Sequence, residues 1–482
     1  MSSIQTQMMK GVMWSALQKY STMAVSIIVT MVMARLLTPE DFGIIAIAMV
    51  IIAFLSIVSS MGIGPAIIQK KDLTQTDIDN IFSFTVYVGV VLSLLLFFSS
   101  WPIASFYQND LLRPICQLLC VNVFFSTINM VPTALMSKNK RFKEVAIITV
   151  TISVISGAAS IISAYHGFGV YSLLITPILT SICVFLFNYH FYPVTFQFRV
   201  FIEPLRRISS YSLYQFAFQF VGFFSNNIDR LIIGKYISNS DLGYYDKAHT
   251  MTKLPLSTLT GVLTPILHPY LSEYQSDVDK IKKGHNIVVK FLSTIAFPVS
   301  VIMFFCASEI VFVFFGAQWE RSVMSLRFLS LTIAINMILS TSGAFWLSTN
   351  STKLLFGTGL LNSTIVIIAY IVSSYCFGTI EAVSLSYLIS CIIIFVITYV
   401  TMYNRVFKTS SIEMWVLLIN PFFSALILVA FYYLFDCIPI RINVFLRLFI
   451  KVLSGLGIVL LYIQFTGRYN IVSMVKNKKI VI

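Results

Sequence analysis

Charge is scarce in this sequence. Of its 482 residues only 11% are Asp, Glu, Lys or Arg, while 57% are hydrophobic. Soluble domains carry roughly 25% charged residues. A chain of this length with so little charge cannot cover a water-facing surface, so most of it must face lipid. The signatures of phosphate and metal chemistry are missing as well. No Gly-x-x-x-x-Gly-Lys-Ser/Thr loop occurs, which removes the usual sign of direct ATP use. There is no His-Glu-x-x-His and no Cys-x-x-Cys, and the five histidines are scattered over loops and span ends. Six of the seven cysteines lie within apolar runs and Cys437 ends one, so they read as small buried residues rather than disulfides or ligands. No connection is long enough for a soluble catalytic domain, and no pair of acids stands ready for glycosyl transfer. Hence no catalytic residue, metal or cofactor is expected, and the chain reads as a non-enzyme.

What the sequence does hold is length of apolar run. A membrane span needs roughly 20 mostly apolar residues. Fourteen such runs can be marked: 12–34, 42–62, 81–101, 114–136, 145–165, 169–189, 210–234, 249–271, 287–308, 324–347, 354–376, 380–403, 413–435 and 442–465. The first is long and lacks an Ala-x-Ala site, so it should be retained as a helix rather than cleaved. The expected fold is therefore an all-α polytopic membrane protein with 14 transmembrane helices. Basic residues set its orientation. Lys138, Lys140, Arg141 and Lys143, then Lys280, Lys282 and Lys283, fall in connections on one side, and that side holds more than twice the Lys and Arg of the other. By the positive-inside rule both termini are cytoplasmic. The net charge of +14 then belongs to anionic headgroups and cytoplasmic loops, and no nucleic-acid partner is expected.

The sequence also repeats. At an offset of 200, Arg35 matches Lys235, Asp41-Phe42-Gly43 matches Asp241-Leu242-Gly243, Ala48 matches Ala248 and Pro65 matches Pro265. Each copy holds six spans, an even number, so the two lobes share one orientation about an axis along the membrane normal. This divides the chain into an N-terminal lobe (1–205), a C-terminal lobe (206–407) and two extra spans with a tail (408–482). The Asp-x-Gly turns also have a plainer reading, since Asp and Gly suit helix starts and tight reversals anywhere.

Polar residues inside a span are the candidates for chemistry, because each ionisable group there costs about 2.5–3.5 kcal/mol even on a lenient scale. Asn226, Asn227, Asp229 and Arg230 break the seventh run. Asn226, Asp229 and Arg230 have the i, i+3, i+4 spacing of one helix face. Two readings stand: a polar face lining a cavity, or an Asp229–Arg230 pair that locks helices together. Gln18 and Lys19 form a second case in the first run, with snorkelling of Lys19 to the surface as the alternative. Lys253 adds a cation near the outer end of the eighth run. Cations in a cavity suit an anionic substrate such as a pyrophosphate, for which Arg offers a bidentate fork. Arg447 and Lys451, with Arg441, read instead as an outer basic edge.

These residues resemble a known family. The Arg-x-Leu-x-Pro-x-Asp-Phe-Gly pattern here reads Arg35-Leu36-Leu37-Thr38-Pro39-Glu40-Asp41-Phe42-Gly43. Together with a Trp in the first span and the Asn-x-x-Asp-Arg to Asp-Leu-Gly-Tyr-Tyr stretch from Asn226, it is similar to the bacterial polysaccharide flippases. These belong to the multidrug/oligosaccharidyl-lipid/polysaccharide exporter superfamily, and the look is that of its lipopolysaccharide and colanic-acid exporter branch. The resemblance implies two lobes in the bacterial inner membrane. It implies translocation of an undecaprenyl-pyrophosphate-linked oligosaccharide to the outer leaflet by alternating access, for surface polysaccharide synthesis. Coupling to a proton or sodium gradient is implied for the superfamily, with Asp229 as the candidate by burial. A multidrug antiporter of the same fold is the alternative; it would want an acid-lined cavity, whereas the charges here lean basic.

Overall fold

A computed structural model describes residues 3–60, 62–70, 72–201, 203, 222–224, 226–272, 277–438 and 442–466, with the side chains of 3–8 and 259–272 left aside. Among these residues every regular element is helical. Lipid offers no hydrogen bonds, so a spanning backbone must satisfy its own groups, and the long apolar runs do so as helices. Twelve helices are long and apolar enough to cross a membrane, and each overlaps one of the expected runs. The run 210–234 lies largely outside the described residues. The run 249–271 falls in the continuous helix Asn239–Ser272, which begins before it.

The chain divides into two compact units, residues 1–243 and 244–482. In both, the usual inside and outside are exchanged. Large apolar side chains point outward, among them Phe98, Ile155, Phe356 and Phe449. Small hydroxyl residues line the helix contacts: Ser83, Ser160, Ser300 and Ser330 are all buried. In lipid the apolar effect does not drive helices together, so close packing and interhelical hydrogen bonds do that work. Ser160 donates to the Ser172 carbonyl at 2.6 Å, and Ser300 accepts from the Ala334 amide at 2.9 Å. Other hydroxyls turn back on their own helix, as Ser83 does to the Asp79 carbonyl at 2.7 Å.

Several spans are interrupted. Pro39–Ser60 gives way to Ile63–Gln69 through Gly62, whose φ of 70° suits glycine. Leu112–Ile128 passes to Met130–Lys138 at Asn129, and Ser322–Leu339 to Ser342–Ser348. The first two breaks line one cavity of about 420 Å³ with Ser126, Asn129, Thr133 and Ser137 in its wall. Non-helical backbone at membrane depth is tolerated beside such polar partners. The segment after the sixth span is strapped down in the same manner. Asp79, 7% exposed, accepts from the Thr195 amide at 2.9 Å and its hydroxyl at 2.6 Å. Asn80 exchanges two bonds of 2.7 Å with the Phe201 backbone.

Candidate functional site

The two matched turns share their local chemistry. Thr38 caps the helix Pro39–Ser60, and its amide donates to the Asp41 carboxylate at 2.9 Å while the Asp41 amide donates back to Thr38 Oγ1 at 3.3 Å. Ser238 caps Asn239–Ser272 in kind: its hydroxyl donates to Asp241 at 2.7 Å and accepts from the Asp241 amide at 3.0 Å. The first turn is thus a capping box, and the second shares its N-cap bond, with the repeated Asp in the third helical position of both. The glycines that follow have a different purpose. A Cβ on Gly43 would sit 1.7 Å from the Asn239 carbonyl oxygen, and one on Gly243 would sit 1.9 Å from that of Pro39. Each turn presses its backbone onto the other, and only glycine fits at either point.

The helix 226–236 leads into the second turn. It is seated on the helix Gln75–Tyr107, where Lys235 Nζ donates to the Phe106 carbonyl and lies 4.4 Å from the Phe106 ring centre. Gly234 fits against Ile47, whose Cδ1 would stand 2.9 Å from an added Cβ. The rings of Phe223 and Phe224 pack on Phe54 at 5.5 and 6.1 Å.

The candidate residues sit on this helix at graded depth. Asn226 is exposed, and its amide donates to the Gly222 carbonyl at 2.7 Å. Asn227 is half-buried; it donates to the Phe223 carbonyl at 3.0 Å and accepts from Arg230 Nη1 at 3.0 Å. Asp229 is buried, at 2% exposure, and Arg230 is half-buried. The structure therefore joins Arg230 to Asn227, three residues back on the same helix. This bond holds the guanidinium along the helix wall rather than in extended rotamers. Gln18 is half-buried and Lys19 exposed on the helix Ser3–Leu36, in the first unit with the 226–230 group. Lys253 is half-buried and belongs to the second unit.

The expected outer basic edge is corrected by the second unit. Arg441 lies outside the described residues. Lys451 is 1% exposed, and its ammonium meets Glu309 and Asp436 at 2.8 Å each. Arg447 meets the same two carboxylates, Glu309 at 3.1 Å and Asp436 at 2.7 Å. Two acids and two bases cancel in one cluster, with Lys451 and Glu309 buried and Arg447 and Asp436 partly exposed. A buried ammonium requires such partners, because an uncompensated charge in a low dielectric is far costlier than a paired one. The i, i+4 spacing of Arg447 and Lys451 was the available signal. Their partners stand on other helices, so reading along the last run alone points to an edge. His285 was also missed. It is fully buried, edge-on to Phe345 at 4.8 Å, with Nδ1 3.3 Å from the hydroxyl of Tyr403 in the π-helical turn Met402–Phe407. Among the described residues no group of His, Cys, Asp and Glu is arranged to hold a metal ion.

Comparison with known proteins bears on what such a scaffold does. The chain is 21% identical over 433 residues to the lipopolysaccharide biosynthesis protein WzxC of Escherichia coli (strain K12), covering 88% of this chain and 86% of that one. It is 22% identical over 359 residues to the teichuronic acid biosynthesis protein TuaB of Bacillus subtilis (strain 168), with 74% of each chain covered. Among solved structures it is similar to the lipid II flippase MurJ in an inward closed conformation, at a TM-score of 0.74 and 16% identity over 95% of this chain and 99% of that one. The MurJ likeness concerns the fold. Residues 32–324, more than half of the chain, match the family described as polysaccharide biosynthesis protein, and the chain belongs to that family.

Proposed function

We propose that this protein is a flippase for a lipid-linked oligosaccharide, which it carries from the cytoplasmic to the outer leaflet by alternating access for surface polysaccharide synthesis. Membership of the polysaccharide biosynthesis family carries this reading. The named relatives are biosynthesis proteins of lipopolysaccharide and of teichuronic acid, and the lipid II flippase MurJ has a similar fold. Twelve apolar helices and these relatives make the chain a multi-pass protein of the bacterial inner membrane, a transporter and not a catalyst.

The finer reading is that the carrier is undecaprenyl pyrophosphate and that its phosphates meet the Asn226–Arg230 face. Lys19 and Gln18 are the further candidates of the first unit, and Lys253 is the candidate of the second. A guanidinium suits a pyrophosphate because paired N–H donors match its oxygens. Coupling to a proton or sodium gradient would fall to Asp229, the buried carboxylate of that face. The topology that accompanies this is 14 spans with both termini cytoplasmic, counting the runs 210–234 and 249–271 with the twelve, in lobes of 1–205 and 206–407 plus two spans in 408–482.

One experiment tests both the site and the orientation. Arg230→Ala is expressed in a strain lacking its own exporter, with Lys282→Cys or Glu320→Cys as reporter of insertion. Surface polysaccharide should fall at least about tenfold, the effect of losing one charge-assisted contact to substrate. Position 282 should label from the cytoplasm and position 320 from outside. Normal polysaccharide on a correctly inserted protein overturns the role of Arg230, and reversed labelling overturns the orientation.

A further inference from the structure

A cavity of about 560 Å³ opens beside the charge cluster of the second unit. The short helix Ala307–Phe314 meets there the starts of Ser322–Leu339, Ile380–Thr401 and Val444–Phe465. Ends of consecutive spans mark the level where lipid gives way to water. Glu309, Glu320, Arg321, Glu381 and Arg447 bring charges of both signs to its wall.

The charges are not equally engaged. Glu309 is 6% exposed and bound to Arg447 and Lys451, so it is a fixed part of the wall. Arg321 lies over the Tyr244 ring at 5.6 Å. Glu320 and Glu381 have no salt bridge and no side-chain hydrogen bond among the described residues. Two carboxylates, Glu320 exposed and Glu381 half-buried, therefore share this wall with the guanidinium of Arg321, while Arg447 is already held by Glu309 and Asp436. Beyond them the wall continues as the apolar side chains of Phe312 and Met324, exposed by 43% and 45%.

A ligand for this cavity needs an ammonium, a nearby anion and an apolar continuation. We infer that it binds the headgroup of a zwitterionic aminophospholipid. The ammonium is held by Glu320 and Glu381, the phosphate is turned to Arg321, and the chains run out along Phe312 and Met324. An anionic phospholipid would leave both carboxylates without a cation. A trimethylated headgroup keeps the charge but has no N–H to donate to them.

The test uses the full chain in nanodiscs of phosphatidylethanolamine, phosphatidylglycerol and phosphatidylcholine in equal parts, with retained lipid counted by native mass spectrometry. Phosphatidylethanolamine should be kept over both others. Glu320→Gln/Glu381→Gln should lower its retention about tenfold, the scale of one charge-assisted hydrogen bond. Because neither side chain has a partner to lose, the variant should melt with the wild type; if it does not, Glu381→Gln alone is read in the same way. Equal retention of the three lipids, or a variant that keeps the wild-type preference, overturns the assignment.

Discussion

The helices that lead into the two capped turns match in register and differ in what they bury. In the first, Val29 is half-buried against Gly157, where an added Cβ would come 2.5 Å from its Cγ2. This is ordinary small-to-large packing between membrane helices. At the offset of 200 the counterpart is Asp229, a carboxylate at 2% exposure, followed by Arg230 where Thr30 stands in the first copy. Past this point the copies converge again on an N-cap bonded to the repeated Asp and a glycine without room for a side chain. The repeat has kept its scaffold and changed its chemistry in one copy. A position conserved between copies is explained by backbone geometry here, and a position that differs is where a task can reside.

The comparison can be broken first at its shared part. Gly43→Val and Gly243→Val should each destabilise the protein by about 3 kcal/mol or more, since backbone carbonyls cannot retreat as side chains do. Thermal unfolding of the purified protein measures this, with Gly64→Ala, which meets nothing within 4 Å, as the neutral control. If only one of the two valines destabilises, the crossing is not reciprocal.

Exchange of the unshared part has a distinct effect on export. Asp229→Val installs the solution of the first copy. Export and its dependence on an ion gradient should fall. Val29→Asp should cost about 3 kcal/mol, the penalty of a carboxylate at membrane depth. Full export by Asp229→Val would make Asp229 a packing residue like its counterpart. Smallest of all, Thr38→Ala and Ser238→Ala should each cost about 1 kcal/mol and by similar amounts, as equivalent N-caps. Unequal losses in unfolding would mean that the turns carry unequal loads.

Much of this was legible along the chain because membrane spans are local. Length and hydropathy mark twelve helices that the structure describes, and the pattern at Arg35–Gly43 and from Asn226 leads to the family. The depth gradient on the 226–236 helix was less legible. Spacing places Asn226 and Asp229 on one face, yet the first is exposed and the second buried, because neighbouring helices cover only part of that face. The straps on Asp79 and Asn80 were not legible at all. They bind residues more than a hundred positions later, through backbone groups that carry no sequence signal.

The sequence by itself determined that the chain is a bundle of membrane helices, that two turns recur, and which polar residues enter the apolar runs. These depend on composition within about 20 residues, the thickness of a bilayer in helical rise. Only the tertiary structure decided which charges are engaged. Lys451 is neutralised by Glu309 and Asp436 from two other helices, and the glycines of the repeated turns are needed because each turn meets the other's backbone. A Coulombic or steric partner acts across a few ångströms of space, whatever the distance along the chain.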